Sequence, residues 1–260
     1  MNAPTTALWQ GLPVDWADQL AACIHRADNA HRDTTAVFFR ADDIAVPGRQ
    51  MTRLLELFNR YECPLGLAVV PAWLTVSRWK ALHRQACRRP DLWCWHQHGW
   101  RHHNHEPEGK KQEFGPSRGR NAIFEDLDRG RGRLQAIMGD AFVPIFTPPW
   151  NRCDKITLAL LQEMGYKAVS RSQGSRPLPP EALPDLAVGV DLHTDRTPSA
   201  ADGWQRLIDR LEEGLRRPAC GIMIHHQRMN DAAFCFLERL LEALNRHSRL
   251  HMVAMQDLLS

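Results

Sequence analysis

The sequence lacks a long apolar run, a Cys-x-x-Cys pair and a leader-like start. No segment approaches the roughly 18 consecutive apolar residues of a transmembrane helix, so no membrane span is expected. Residues 1–5 have neither basic residues nor an apolar core, which predicts that no signal peptide is present and favours a cytoplasmic location. The seven cysteines are odd in number and include no Cys-x-x-Cys pair, a pattern typical of free thiols in a reducing compartment.

The chain also lacks a strong charge imbalance, a repeat and a low-complexity tract. The formal net charge is only +3 and the arginines are scattered, so no nucleic-acid partner is expected and the partner is predicted to be small or locally charged. A chain of 260 residues with 43% hydrophobic content can bury a full core. We expect one domain over residues 1–260, with a helical lead-in over about residues 1–33, and the sequence leaves the oligomeric state open.

Short apolar or β-branched runs alternate with longer stretches of helical period. This alternation predicts an α/β fold with a parallel sheet. The predicted strands are 35–39, 65–70, 92–95, 143–146, 167–170, 187–190, 221–224 and 251–254. The predicted helices are 50–61, 76–88, 122–138, 155–164, 200–217 and 232–246. The proline-rich stretch 172–185 is predicted to be a surface loop.

Polar residues with catalytic potential recur where these strands end. They are Asp42, Asp43, His98, His102, Thr147, Asp191, His193, His225 and His226. The loops that follow parallel strands open on one face, so these side chains are expected to converge there. A doubly wound open sheet places them on one edge just as a barrel does, so the pattern favours a parallel α/β architecture more strongly than it favours closure.

Histidines are concentrated in one segment. Five of the thirteen lie within residues 96–105, and imidazole is the commonest protein ligand of catalytic transition metals. The adjacent carboxylates Asp42 and Asp43 add hard donors, so we interpret the two segments as a metal site rather than as a polar loop and a turn. His96, within a strand, is expected to be a hydrogen-bonded core residue.

Four motifs together resemble those of the polysaccharide deacetylase family, also called the NodB-homology or carbohydrate esterase 4 group. They are Asp42-Asp43, residues 98–102 with the pattern His-Gly-Trp-Arg-His, the turn Pro148-Pro149 and the late segment 223–225. The resemblance runs from about residue 35 to residue 226. It implies a distorted (β/α) barrel and a metal-dependent deacetylase.

The resemblance also implies roles for individual residues. Asp43, His98 and His102 would be the ligands of a divalent metal, most often zinc, and Asp42 would be the general base. His225 would be the general acid, with His226 as the alternative. Asp191 would orient that histidine.

Two departures from the family pattern place the chain in an outlying branch. Thr147 stands where the family usually has an arginine that pairs with the catalytic aspartate, and Gly99 stands where serine or threonine usually follows the first histidine. Threonine supplies no charge, so Arg40 is expected to hold Asp42 instead, with Arg152 or Arg171 as alternatives.

The expected substrate is an N-acetylated amino sugar, either a small molecule or a glycan precursor. The residues expected to bind it are Trp100, His105, Pro149 and Trp150; Trp73 is a further aromatic near these loops. Flat apolar rings stack on the CH faces of sugars.

Two rival functions stay open at this point. One is a metal-containing carbohydrate-binding protein that has lost hydrolysis, which the missing arginine suggests. The other is a non-haem iron oxygenase that uses His193 and Asp195 with His247 or His251.

Overall fold

The computed structural model describes residues 5–30 and 33–259. Within these ranges, strands and helices alternate along the chain. The strands are β1 Thr35–Ile44, β2 Leu65–Val69, β3 Trp93–His98, β4 Phe142–Thr147, β5 Ala168–Val169, β6 Val188–Asp191, β7 Ala219–Ile224 and β8 Leu250–Met252. The helices are α1 Trp16–Ala30, α2 Arg49–Arg60, α3 Val76–Ala86, α4 Arg120–Met138, α5 Lys155–Glu163, α6 Ala200–Leu215 and α7 Asp231–Asn245.

The chain forms two compact units, each assembled from separate stretches. The first comprises Met1–Ala41, Gly48–Leu65 and Val188–Ala254, and the second comprises Asp42–Pro47, Gly66–Ala187 and Met255–Ser260. The last three residues of β1, which are residues 42–44, belong to the second unit.

In the first unit, β7 lies between β1 and β6, and β8 also pairs with β1; all of these pairings are parallel. Helix α1 packs against α6 and α7. Ser199 and Asn230 begin α6 and α7, since each side-chain oxygen accepts a hydrogen bond from a backbone N–H of the first turn. These caps fix where the two helices start relative to the strand ends that precede them.

In the second unit, the strand order is β5-β4-β3-β2, and the β3–β4 and β4–β5 pairings are parallel. Every residue of β2 and β3 is buried; β2 is accordingly apolar throughout, whereas β3 ends in three buried polar residues, His96, Gln97 and His98. A core cluster that includes Phe114, Phe146 and Tyr166 lies beneath α4 and α5.

The predicted elements are all present, and the main difference is at β1. The apolar run ends at Phe39, but the strand continues to Ile44. Its backbone pairs with β7 as far as Ala41, and the Ile44 carbonyl accepts from the Val70 N–H at 2.9 Å. These backbone contacts do not depend on side-chain polarity. The expectation that Asp42 and Asp43 follow the strand was therefore wrong: both lie within its last three residues. Likewise His98, Thr147 and Asp191 are the final residues of their strands.

Two further expectations concerned the proline-rich stretch and membrane-spanning helices. Stretch 172–185 contains neither helix nor strand, as the prolines predicted. None of the described helices has the length and apolar character required to span a membrane.

Candidate active site

Three predicted ligands meet at the ends of β1 and β3. The Asp43 Oδ1 atom lies 3.4 Å from His98 Nε2 and 3.3 Å from His102 Nε2. All three ligand atoms lie within 4.8 Å of one another, and no other group of three or more potential ligands is found among the described residues. His98 is almost fully buried, whereas the Asp43 and His102 side chains are 25% and 18% exposed. The cluster is therefore partly accessible to solvent through Asp43 and His102.

The spacing of these donors allows one metal ion to bind all three. Nitrogen and oxygen ligands bind zinc at about 2.0–2.2 Å, so two adjacent ligands of one ion lie roughly 3–3.6 Å apart. The distances of 3.4 and 3.3 Å from Asp43 fall in this range. Two imidazoles and one carboxylate also form a donor set typical of open catalytic zinc sites.

The tautomer of His98 is set by a backbone group. Its Nδ1 lies 2.9 Å from the Thr147 carbonyl oxygen, which only accepts hydrogen bonds, so Nδ1 carries a proton. In the neutral ring, the lone pair of Nε2 then points towards Asp43 and His102. Such a bond to the second ring nitrogen is typical of metal-binding histidines.

The same contacts shift the pKa values of the two imidazoles in opposite directions. Burial disfavours a charge on His98, but Asp43, Asp42 and the Thr147 carbonyl together outweigh it and raise the pKa of His98. Burial, followed by the neighbouring His98, lowers the pKa of His102 to about 4. His102 is thus neutral at physiological pH, which is the form that donates a lone pair to a metal.

The backbone at Asp43 explains how two consecutive carboxylates lie near the same histidines. Successive side chains of a regular strand point to opposite faces. Asp43 has φ of 61°, a left-handed conformation that aspartate tolerates better than most residues. Asp42 is buried, and its charge favours the protonated form of both His98 and His102, although burial still lowers the pKa of His102 overall.

Glu113 is a site residue that the sequence did not indicate. Its carboxylate is completely buried and accepts hydrogen bonds from the backbone N–H groups of Trp100, Arg101 and His102. Burial raises the pKa of Glu113, and the backbone bonds from Arg101 and Trp100 oppose the shift. No sequence signal marks such a residue, because its partners are backbone groups that every residue type carries.

In the first unit, the predicted acid His225 is held by a different residue from the one expected. The Asp191 carboxylate accepts hydrogen bonds from the backbone of His193 and from the backbone and hydroxyl of Thr194. The His225 N–H donates to His193 Nδ1 at 3.1 Å, and His225 Nδ1 has no hydrogen-bond partner among the described residues. The expected bond from Asp191 to His225 is therefore not seen, because the turn after β6 offers Asp191 nearer donors.

Burial disfavours a second proton on the His193 ring. Burial, followed by His225 and His226, holds the pKa of His193 well below its usual value. Because Nδ1 accepts the bond from His225, the neutral ring carries its proton on Nε2.

The candidate replacements for the missing arginine have distinct surroundings. Arg171 is fully buried and forms an ion pair with Asp185 at 2.7 Å, so it holds the proline-rich loop. Arg152 Nη1 donates to the Lys111 carbonyl. Arg40 is fully buried within β1, with Nη2 3.1 Å from Met223 Sδ, and its pairing with Asp42 stays a prediction.

The hydroxyl and the carbonyl of Thr147 each form a hydrogen bond with a histidine. Its hydroxyl lies 3.0 Å from His96 Nε2, and its carbonyl accepts from His98. His96 is fully buried and hydrogen-bonded, which confirms its interpretation as a core histidine.

The residues expected to bind substrate differ in their positions. The Trp150 ring lies edge-on to His102 with centroids 4.4 Å apart, and Trp73 approaches the same imidazole at 5.8 Å. Trp100 instead packs against the core cluster. Pro149 is buried, and His105 is exposed with its ring against His103.

The residues of the proposed iron triad have separate partners. His193 accepts from the His225 backbone, Asp195 binds Thr197 and Arg206, and His247 contacts Asp28. They do not form a ligand cluster in the part of the chain that the structure describes.

Comparison with known proteins agrees with the geometry. The family model described as polysaccharide deacetylase matches residues 30–169, more than half of the chain. No curated protein matches the sequence.

Several solved structures share the fold. A protein assigned as a polysaccharide deacetylase from Mycobacterium smegmatis is similar with a TM-score of 0.65 and 16% identity, over 88% of this chain and 90% of that one. A family 4 acetyl xylan esterase from Clostridium thermocellum, solved with a cobalt ion, is similar with a TM-score of 0.58 and 12% identity, over 86% and 90%. A carbohydrate esterase family 4 pseudoenzyme from Bacillus anthracis is similar with a TM-score of 0.56 and 13% identity, over 88% and 67%.

These likenesses confirm the predicted fold class, the α/β distorted barrel of the NodB-homology type. The family model covers both carboxylates and both histidines of the candidate metal site. The chain therefore belongs to the polysaccharide deacetylase family.

Proposed function

We propose that this protein is a metal-dependent deacetylase that hydrolyses the N-acetyl group of an amino sugar or glycan precursor. The observation that carries the proposal is the cluster of Asp43, His98 and His102, whose ligand atoms lie within 4.8 Å of one another, together with the buried carboxylate of Asp42. Family membership indicates a hydrolase of amide or ester bonds.

The three ligands would hold one divalent ion, and zinc suits their number and spacing best, although other transition metals bind such sets. Such an ion polarises an acyl carbonyl and lowers the pKa of water. Three protein donors leave a position for water and substrate, and the partial exposure of Asp43 and His102 provides access to it. Thr147 fixes the His98 ring so that Nε2 always faces the site.

Asp42 is proposed as the general base. A carboxylate that lies next to the metal ligands, but is not one of them, is suited to accept a proton from the attacking water. The family resemblance assigns protonation of the leaving amine to His225, with His193 holding its backbone. The products would be acetate and a free amine.

The aromatic surroundings of His102 support a sugar substrate. Trp150 and Trp73 both lie within 6 Å of its imidazole, and Trp73 is 36% exposed. An exposed indole next to a metal ligand offers a flat apolar surface on which a pyranose ring can stack. An N-acetyl group on that ring would lie next to the ion.

Acetate release tests the proposal. The zinc-loaded protein is incubated with N-acetylglucosamine, its nucleotide-linked form and short N-acetylated oligosaccharides, and acetate is measured. We expect release from at least one compound, and loss of release both with a chelator and in Asp42→Asn. Zinc-independent release, or none across the panel, would contradict the proposal.

The alternative is a metal-containing carbohydrate-binding protein without hydrolysis. Thr147 in the place of the family arginine favours it, and one structural relative is itself a pseudoenzyme. Asp42 argues against it, because a metal cage needs no further carboxylate. Saturable binding of an oligosaccharide without acetate release would support this alternative.

A further inference from the structure

Glu113 lies outside every motif, yet its carboxylate contacts the loop that carries His102. Its Oε1 accepts from the Arg101 N–H at 2.6 Å, and its Oε2 accepts from the Trp100 and His102 N–H groups at 3.1 and 3.2 Å. Three successive backbone amides thus converge on one anion. A concave row of N–H groups of this kind is an anion-binding nest.

The nest exists because the loop has unusual backbone angles. Gly99 and His102 have φ of 59° and 57°, both in the left-handed region. A Cβ at position 99 would lie 2.1 Å from Glu113 Oε2 and 2.6 Å from Pro149 Cγ. The glycine that departs from the family pattern therefore leaves the space that Glu113 occupies.

Glu113 is itself held by its neighbours. Phe114 is completely buried in the core cluster, with its ring edge-on to Phe146 at 5.3 Å. The Phe114 carbonyl accepts from the Asp154 N–H at 2.9 Å, and Arg118 Nη1 donates to the Glu113 carbonyl. The carboxylate is thereby tied to the core and does not depend on the exposed part of the loop.

A left-handed histidine is an unfavourable conformation that persists only where its surroundings impose it. The bond from the His102 N–H to Glu113 is such a constraint, and the His102 side chain is more exposed than that of His98. His98, in contrast, is fixed by β3 and by Thr147.

We propose that Glu113 is a positioning residue that presets His102 for metal binding by holding the amides of residues 100–102. The inference rests on the metal site of the proposed function and assigns Glu113 no contact with substrate. Removing the carboxylate would leave His98 and Asp43 in place and release His102.

Zinc affinity of Glu113→Gln tests this assignment. The amide keeps the size of the side chain but presents an NH₂ group to backbone donors, so we expect zinc affinity to fall about 10- to 100-fold, as is usual when a supporting contact of a ligand is lost. Glu106→Gln is the matched control: Glu106 lies in the same loop and accepts from Ser117, but it does not contact a ligand-bearing amide. Zinc affinity of this control should be unchanged.

A second readout does not involve the metal. In the metal-free protein, the amide hydrogens of residues 100–102 should exchange slowly with solvent, and they should exchange faster in Glu113→Gln but not in Glu106→Gln. If Glu113→Gln does not fold, Glu113→Asp, which keeps the charge on a shorter side chain, is measured in the same two ways.

The outcomes separate this inference from the proposed function. Wild-type zinc affinity in a folded Glu113→Gln protein, or in the Asp variant if that is used, would overturn the positioning role while acetate release stands. Zinc binding that depends on Glu113 without acetate release from any sugar would support the positioning role and overturn the deacetylase proposal.

Discussion

The Nδ1–H of His98 donates to the backbone carbonyl of Thr147 at 2.9 Å, so the residue at the position of the family arginine orients a predicted metal ligand. This contact uses the main chain and is insensitive to the side chain at position 147. The Thr147 hydroxyl has a separate partner in His96.

Loss of any one predicted ligand should abolish stoichiometric metal binding. Asp43→Ala, His98→Ala and His102→Ala are each expected to retain well under one equivalent of zinc after dialysis, because two donors bind zinc far more weakly than three. His105→Ala, an exposed histidine of the same segment, is the control and should retain the metal. Elemental analysis measures the content, and full retention in all three ligand variants would refute the assignment.

Asp42→Asn should abolish most acetate release without changing metal binding. Asparagine preserves the shape of the side chain but does not accept a proton at neutral pH, so kcat for acetate release should fall by about 10²- to 10⁴-fold with zinc content unchanged. Asp140→Asn, at an exposed carboxylate, serves as the control. Wild-type kcat in Asp42→Asn would show that Asp42 is not the base.

Restoring the family arginine at position 147 should harm the protein. Thr147 is completely buried, so Thr147→Arg is expected to lower the free energy of unfolding by about 1–3 kcal/mol or more through overpacking. Thr147→Val keeps the volume and the carbonyl, so its zinc affinity should equal that of the wild type, although the bond to His96 is lost. Urea unfolding and zinc titration of both variants check this, and weaker zinc binding by Thr147→Val would contradict it.

His193 should make the protein sensitive to acid. The pKa of His193 in the folded protein is well below the value of about 6.5 in an unfolded chain, so below pH 6.5 the unfolded chain binds a proton that the folded protein does not. The free energy of unfolding should therefore fall as pH is lowered below about 6.5, by up to about 1.4 kcal/mol per pH unit from this residue.

Urea unfolding between pH 7.5 and pH 5 measures that slope. His193→Asn should have a smaller slope than the wild type. Leu211→Ala, at a buried residue that does not titrate, should lower stability equally at each pH. Equal slopes in His193→Asn and the wild type would exclude this contribution.

The sequence was sufficient to predict which elements form and which ligands meet. Asp43, His98 and His102 could be found because parallel strands end on one side and because aspartate and histidine are metal-binding residue types. Their convergence follows from topology alone, before any side-chain geometry is known.

Contacts to the main chain could not be predicted in this way. The Glu113 carboxylate binds backbone N–H groups, and the Thr147 carbonyl is itself a backbone group. Every residue type carries such groups, so the sequence does not indicate these contacts. The left-handed angle at Asp43 departs from regular strand geometry, so the direction of its side chain could not be predicted from strand alternation. The hydrogen bonds of Asp191 to the turn after β6, and the bond from the His225 backbone to His193, were likewise not indicated by the sequence, and the orienting role of Asp191 stays a prediction.

Anomalous diffraction at the zinc edge from crystals of the zinc-loaded protein tests the central claim most directly. We predict one strong peak, bonded to Asp43 Oδ1 and to the Nε2 atoms of His98 and His102, with a fourth position open to solvent. A peak bound to other residues, or none at this cluster in protein shown to carry zinc, would contradict the account.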